Sequence, residues 1–176
     1  VYDINKYPKV REYLFQHKEQ LENRSYLITS GRKWYEMWVP QEPKLWNYPK
    51  IVFPDISTEA LFSYDESGAI VNGNCYWIVA QTEEQKRLLL LIEGIANSDL
   101  MGKYHELCFN NKLYSGRKRY ISQYIEKYPL PDPNSKFANN IIRIVEQLNN
   151  TNDKFILESL TKELNQNVNY AFGITD

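Results

Sequence analysis

Two cysteines, Cys75 and Cys108, are the only thiols in 176 residues. They are too few for a disulfide framework or a thiolate zinc site. They suit a reducing compartment, so a cytoplasmic chain is expected. Histidine is equally scarce, with only His17 and His105. No apolar run approaches the roughly 18 residues of a membrane span. The first twenty residues hold no apolar signal-peptide core between their charges, so no membrane partner is expected. The glycines form no phosphate-cradling loop, and there is no Gly-x-Ser-x-Gly elbow. Repeats and low-complexity tracts are missing too. With 43% hydrophobic and 24% charged residues, disordered and collagen-like chains are excluded, and the length allows one domain with a real core.

Aromatic rings are abundant: 14 tyrosines, 7 phenylalanines and 4 tryptophans. The net charge of -1 argues, taken whole, against a polyanion partner. By segment the picture changes. Residues 1–50 hold nine basic and six acidic side chains, residues 51–110 three and nine, and residues 111–176 nine and seven. An acidic middle thus lies between two basic flanks that folding could join into one positive face. The densest cationic stretch carries Lys112, Arg117, Lys118, Arg119 and Lys127 against Glu126, interleaved with Tyr114, Tyr120 and Tyr124.

The periodicities predict an α+β fold: a mixed, mainly antiparallel sheet flanked by helices, with an N-terminal helix and two C-terminal helices. Val10, Tyr13, Leu14, His17 and Leu21 recur at helical spacing, and Pro8 suits a first turn, which predicts a helix over about 8–23. Short aromatic and β-branched runs predict strands over 33–39, 50–53, 61–64 and 75–80, bounded by prolines 40, 43, 49 and 54. Asp65 to Gly68 and Asn72-Gly73-Asn74 have turn chemistry. Thr82 with Gln85 forms a capping box for a helix broken at Asn97-Ser98-Asp99, and a shorter helix is expected over 100–108. Alternating prolines from Pro129 to Pro133 forbid helix. Amphipathic helices are expected over 136–148 and 153–168.

Catalytic constellations are few. His17 lies on the apolar face of the first helix and reads as a packed or cap-bonded histidine. Cys75 and Cys108 lack a neighbouring base and read as small hydrophobes. Asp55 with Glu84 and Lys86 matches the loose pattern of a Mg²⁺-dependent nuclease, two carboxylates for the metal and a lysine beside the attacking water. That site needs Glu84 and Lys86 on a strand beside Asp55, whereas they fall in the first turn of a helix, where charge serves capping.

More content lies in the turns that join cations to rings: Gly31-Arg32-Lys33-Trp34-Tyr35, Pro49-Lys50 and Ser115-Gly116-Arg117-Lys118-Arg119-Tyr120. Lysine and arginine neutralise phosphates, and arginine forks or amides read base edges. The same rings also suit a core, and the same charges suit a solvated face. A protein-interaction module using the aromatic surface stays open as well.

Several stretches in order carry a resemblance: Tyr7-Pro8 with Leu14, Lys18 and Leu21-Glu22-Asn23-Arg24; Gly31 to Glu36; Pro49-Lys50-Ile51-Val52-Phe53-Pro54-Asp55-Ile56; Asn74 to Ile78; Ile95-Ala96-Asn97-Ser98; Tyr128-Pro129-Leu130-Pro131; and Leu164 to Thr175. Together they resemble the TaqI-like C-terminal specificity domain, the target recognition domain of type II adenine-specific DNA methyltransferases. Ala96 and Ala171-Phe172 depart from the family's usual residues.

The resemblance implies a non-catalytic chain in a restriction-modification, phage-defence setting. It would bind double-stranded DNA opposite a methyltransferase domain of the same polypeptide, whether or not that polypeptide also cuts DNA. Neither the Asn-Pro-Pro-Tyr motif nor the glycine-rich S-adenosylmethionine loop of such enzymes occurs here, so no cofactor is expected in this chain and S-adenosylmethionine belongs to the missing domain. Residues 1–133 would form the recognition domain and 134–176 a helical hairpin packed on it or on the missing partner. Expected DNA contacts are Arg32, Lys33, Lys50, Asn110, Lys112, Tyr114, Arg117, Lys118, Arg119 and Tyr120.

Overall fold

The structure, a computed structural model, describes residues 3–37, 42–71, 73–109 and 112–175. Its chain divides into two compact units, Val1–Glu42 and Pro43–Asp176.

In the first unit a 3-10 turn (Ile4–Lys6), capped by Asp3, leads into α1 (Pro8–Gln16), α2 (Lys18–Glu22) and α3 (Ser25–Thr29). Pro8 occupies the first helical position as expected, because its missing N–H has no partner to lose there. The single helix expected over 8–23 is instead broken at His17, whose backbone leaves helical geometry at φ -110 and ψ 15. The expectation that His17 is packed is corrected as well: it is exposed, with its ring edge-on to Tyr13.

The strand expected over 33–39 is a turn across its described part, residues 33–37, while 38–41 lie outside the described residues. Arg24 sets that turn, because its guanidinium donates to the carbonyls of Leu21, Trp34 and Glu36. A backbone held this way from one side cannot run straight into a ladder.

The second unit is built around β1 (Lys50–Pro54). It runs into β2 (Ile56–Ser57), and β3 (Ser63–Asp65) and β4 (Cys75–Val79) pair with β1 antiparallel on its two sides. Ile51 faces Tyr64 on one side and Ile78 on the other. Ile51 and Phe53 are buried, as the period-two pattern of a strand requires. Asp65 turns the chain out of β3 by accepting from the backbone N–H and hydroxyl of Ser67, with Gly68 at φ +82. Gly73 and Asn74 turn the chain into β4; Asn72 lies outside the described residues.

Helix α4 (Glu83–Ala96) starts on Thr82, whose hydroxyl accepts from Gln85 N–H at 3.2 Å. Gln85 reaches back to Gln81 N–H at 2.7 Å, one residue beyond the Thr82 N–H of the expected capping box. After Asn97 and Ser98 comes α5 (Asp99–Phe109). The two-residue β5 (Lys118–Arg119) pairs antiparallel with β2, and α6 (Ser122–Ile125) follows. Neither of these last two elements was expected. The closing helices α7 (Lys136–Asn149) and α8 (Lys154–Ala171) begin on Ser135 and Asp153 caps and match expectation closely.

Two apolar clusters meet across α4. On one side Leu91 and Ile95 pack with Met101 of α5, Ile141, Ile144 and Val145 of α7, and Leu164 and Val168 of α8. On the other, Leu89 and Ala96 pack with Ile51 and Phe53 of β1, Phe62 and Tyr120. Gly94 lets α7 approach: a Cβ there would lie 2.7 Å from Ile141 Cγ2 and 2.8 Å from Val145 Cγ2.

Polar side chains close the seams. Asn97 donates to Phe62 O and accepts from Phe62 N–H, doing for that residue what a neighbouring strand would. Buried Glu93 accepts from Tyr64 N–H and from Asn149, tying β3, α4 and α7 together. Burial raises the Glu93 carboxyl above the usual range, only partly offset by those hydrogen bonds. The result is an α+β fold, and no helix among the described residues is long and apolar enough to cross a membrane.

Candidate nucleic-acid interface

The basic stretch forms a tight projection between α5 and β5. Ser115 and Gly116 take φ values of +57 and +70. Such successive left-handed residues reverse the chain at a sharp angle. The reversal is closed by Leu113 N–H donating to Arg117 O at 2.7 Å and Arg117 N–H to Tyr114 O at 3.3 Å. Tyr114 is 71% exposed at the tip. The Arg117 guanidinium sits 5.5 Å from the centre of its ring, a cation–π pair open to solvent.

The other cations of this projection meet carboxylates from elsewhere in the fold. Glu106, on α5, pairs with Lys112 at 2.5 Å and with Lys118 at 3.6 Å, closing the two ends of the loop onto one side chain. Lys112 hydrogen bonding and the two positive charges hold the Glu106 carboxyl below its ordinary value. Asp55, between β1 and β2, takes Arg119 in a two-point grip, Nε to Oδ1 at 3.2 Å and Nη2 to Oδ2 at 2.8 Å. Three cations therefore share two carboxylates, and the four cations of the projection carry with them about half of the net charge that the sequence suggests. Among the described residues Arg117 has no carboxylate partner.

Beneath Arg119 the frame is rigid. Tyr120 N–H donates to Asp55 O at 2.7 Å, continuing the β2–β5 pairing. Buried His105 stacks on Tyr120 with ring centres 4.5 Å apart. Its Nε2 lies 2.9 Å from Arg119 O and its Nδ1 2.8 Å from the Tyr128 hydroxyl. A carbonyl can only accept, so Nε2 carries the proton and Tyr128 donates to Nδ1. Burial lowers the His105 pKa and keeps the ring neutral, while it pushes the Tyr120 hydroxyl up to about 12.

Two expected contacts are corrected. Lys50 is fully buried, with its ammonium 2.6 Å from Asp65 and 2.9 Å from Trp46 O, so it is a core ion pair and not a surface cation. Burial alone would raise the Asp65 carboxyl; hydrogen bonds from Lys50 and Ser67 outweigh it and hold the group low. Tyr120 is 2% exposed and belongs to the core beneath Arg119. Arg32 and Lys33 lie in the first unit, where the Lys33 ammonium sits over the Tyr35 ring. Asn110 lies outside the described residues.

The structure does not bring the nuclease triad together. Asp55 grips Arg119, Glu84 is in the first turn of α4, and Lys86 pairs with Glu66 at 3.1 Å. Among the described residues no cluster of three or more histidine, cysteine, aspartate or glutamate side chains could hold a metal ion. A pocket of about 550 Å³ lies beside β4, walled mainly by Phe53, Trp77, Ile78, Ile92, Ile125 and Leu130. Its wall includes Ser122 and Glu126 but is mostly apolar, unlike a site built for polar chemistry.

Sequence reasoning missed Glu106, Asp55 and His105 as parts of this site. Each sits in a different element from the residue it holds, so no local spacing announced it.

A family model described as the TaqI-like C-terminal specificity domain matches residues 2–130. The chain is 43% identical over 173 residues to the type II methyltransferase M.BanIII of Aneurinibacillus aneurinilyticus, an alignment spanning 97% of this chain and 30% of that protein. It is 22% identical over 164 residues to the type II methyltransferase M.BstVI of Geobacillus stearothermophilus, spanning 93% of this chain and 28% of that protein. It is 27% identical over 132 residues to the type II methyltransferase M.XhoI of Xanthomonas vasicola, spanning 74% and 23%. The chain thus spans less than a third of the length of these curated relatives.

Proposed function

The chain belongs to the TaqI-like C-terminal specificity domain family, and from that premise we propose that it is the target-recognition part of an N6-adenine DNA methyltransferase. It binds duplex DNA from the side opposite a catalytic domain of the same polypeptide, which flips the adenine and carries out the transfer. The observation that carries this reading is the exposed Tyr114–Arg117 tip standing beside the anchored Arg119 on one edge of the second unit. Arg117, Lys112 and Lys118 serve phosphates, and Arg119 stands nearest a groove. A cytoplasmic restriction-modification role in phage defence follows from the same reading.

S-adenosylmethionine belongs to the catalytic domain.

The reading is tested by binding of the chain to duplex DNA across a salt series. The expected affinity is weak and falls steeply with salt, and Arg117→Ala reduces the slope of log K against log salt by about one. Binding unaffected by salt, or a slope unchanged by Arg117→Ala together with Lys112→Ala and Lys118→Ala, would falsify it.

A further inference from the structure

The cations around the 112–119 projection differ in how firmly they are held. Lys112 and Lys118 are flexible stems sharing one carboxylate. Arg117 rests on a ring at the tip of a turn. Lys118 shares the β2–β5 ladder with Arg119, but among these cations Arg119 is the one gripped by a carboxylate at two points. Its backbone is paired with Ile56 in the β2–β5 ladder, and its carbonyl accepts from the buried His105 imidazole at 2.9 Å. The adjacent Tyr120 is locked to Asp55 O and stacked on His105.

At the other end, Asp55 grips the Nε–Nη2 edge of the guanidinium and so sets the plane and direction of the fork. The Asp55 backbone is held in turn by Asn74 O and by Tyr120 N–H. Yet the side chain of Arg119 remains 45% exposed and that of Asp55 25%. An ion pair so open to water adds little to folding. What this one adds is orientation: an arginine stripped of its rotamer freedom in advance loses less on binding.

Resting on the DNA-binding reading above, we infer that Arg119 is a specificity-determining residue that reads a guanine edge in the major groove, and that Asp55 is its positioning residue. Guanine is the base whose O6 and N7 match an arginine fork. Asp55 then has two opposed effects on DNA. As a negative charge near the phosphates it weakens binding to any sequence. As the holder of Arg119 it sharpens the choice among sequences. Glu106 has only the first effect, because the lysines it pairs with are point charges without a fork.

The two carboxylates are separated by selection from a pool of random-sequence duplexes. Four proteins are compared: the unmodified chain, Asp55→Asn, Arg119→Lys and Glu106→Gln. The unmodified chain is expected to enrich guanine at one position by about tenfold. Asp55→Asn binds the unselected pool severalfold more tightly, since a negative charge is gone, and loses that enrichment. Arg119→Lys keeps pool affinity within about twofold, because the charge stays, and also loses it. Glu106→Gln binds more tightly and keeps it.

Retention of the guanine preference by Asp55→Asn, or by Arg119→Lys, overturns the assignment. So does salt-dependent binding of the unmodified chain with no position enriched, which leaves DNA binding itself intact. Failure to bind any duplex at low salt overturns the DNA-binding reading instead.

Discussion

The helical layer of α4, α7 and α8 and the small β2–β5 edge belong to the same unit but are held together by different means. The helical layer is held by apolar side chains at helical spacing, with Ile141, Ile144 and Val145 buried on one face of α7. The edge is held by a two-residue backbone pairing and carries charge pairs at its surface: Asp55 on Arg119, and Glu106 on Lys112 and Lys118. In the first region a residue's type tells its place. In the second it does not, because a lysine or arginine is as much a partner for a distant acid as a surface for DNA. Lys50 is the extreme case, a predicted phosphate contact that lies entirely inside.

The sharpest way to test that contrast is to treat the two kinds of cation alike. Lys50→Met should cost about 3 kcal/mol of stability, because it leaves the mostly buried Asp65 carboxylate without its partner. Urea unfolding checks this, and Arg117→Ala should leave the midpoint within about 0.5 kcal/mol of the parent. A lysine variant as stable as the parent would erase the distinction.

Next in size is Gly94→Ala. Alanine is the better helix former by about 1 kcal/mol, but its Cβ would press on Ile141 and Val145 methyls at 2.7 and 2.8 Å. A net loss of about 1–2 kcal/mol is expected, read as a lower melting temperature. A gain would mean the helices separate freely.

A smaller effect is expected from Glu93→Gln. Burial raises the Glu93 carboxyl in the folded chain, so its contribution to stability is full at low pH and is lost as pH rises through the raised value. Asp65 runs the other way: its lowered carboxyl stabilises above the ordinary carboxylate range, and that stability is lost as pH falls through the lowered value. Glutamine keeps an acceptor for Tyr64 N–H, and Asn149 can turn its carbonyl toward the new amide. Stability at neutral pH should stay within about 1 kcal/mol of the parent, with the decline on the rising side flattened. Unfolding measured from pH 4 to 8 checks it, and an unchanged profile would count against burial as the cause.

The smallest effect is expected from Arg143→Ala. It breaks an exposed pair with Glu163 between α7 and α8, 2.7 Å long, and should cost under about 0.5 kcal/mol. A larger loss would show that the helical layer depends on charge after all.

The same contrast explains what could be read in advance. Helices α7 and α8 were legible to within a few residues, because caps at Ser135 and Asp153 and apolar spacing agree there. Strands β1 and β4 were legible from prolines and β-branched runs. The break at His17 was not, since the apolar period continues across it while the backbone does not. Nor was the turn at 34–36, which depends on Arg24 reaching three carbonyls along the chain. In the candidate site the cations were visible as a cluster, but their acids lie up to 64 residues away in sequence. Strand β5 has only two residues, and nothing local distinguishes it from loop.

The close approach at Gly94 has a consequence in time as well as in energy. With no side chain of its own at Gly94, α4 takes the Ile141 and Val145 methyls of α7 directly against its backbone, so neither helix can loosen without opening the other's interior. Their backbone amides should therefore exchange with solvent deuterium together, in one late cooperative step. The amides of the 112–117 projection, held only by turn hydrogen bonds at an exposed surface, should exchange long before. The 112–117 projection can thus move while the layer behind it stays shut.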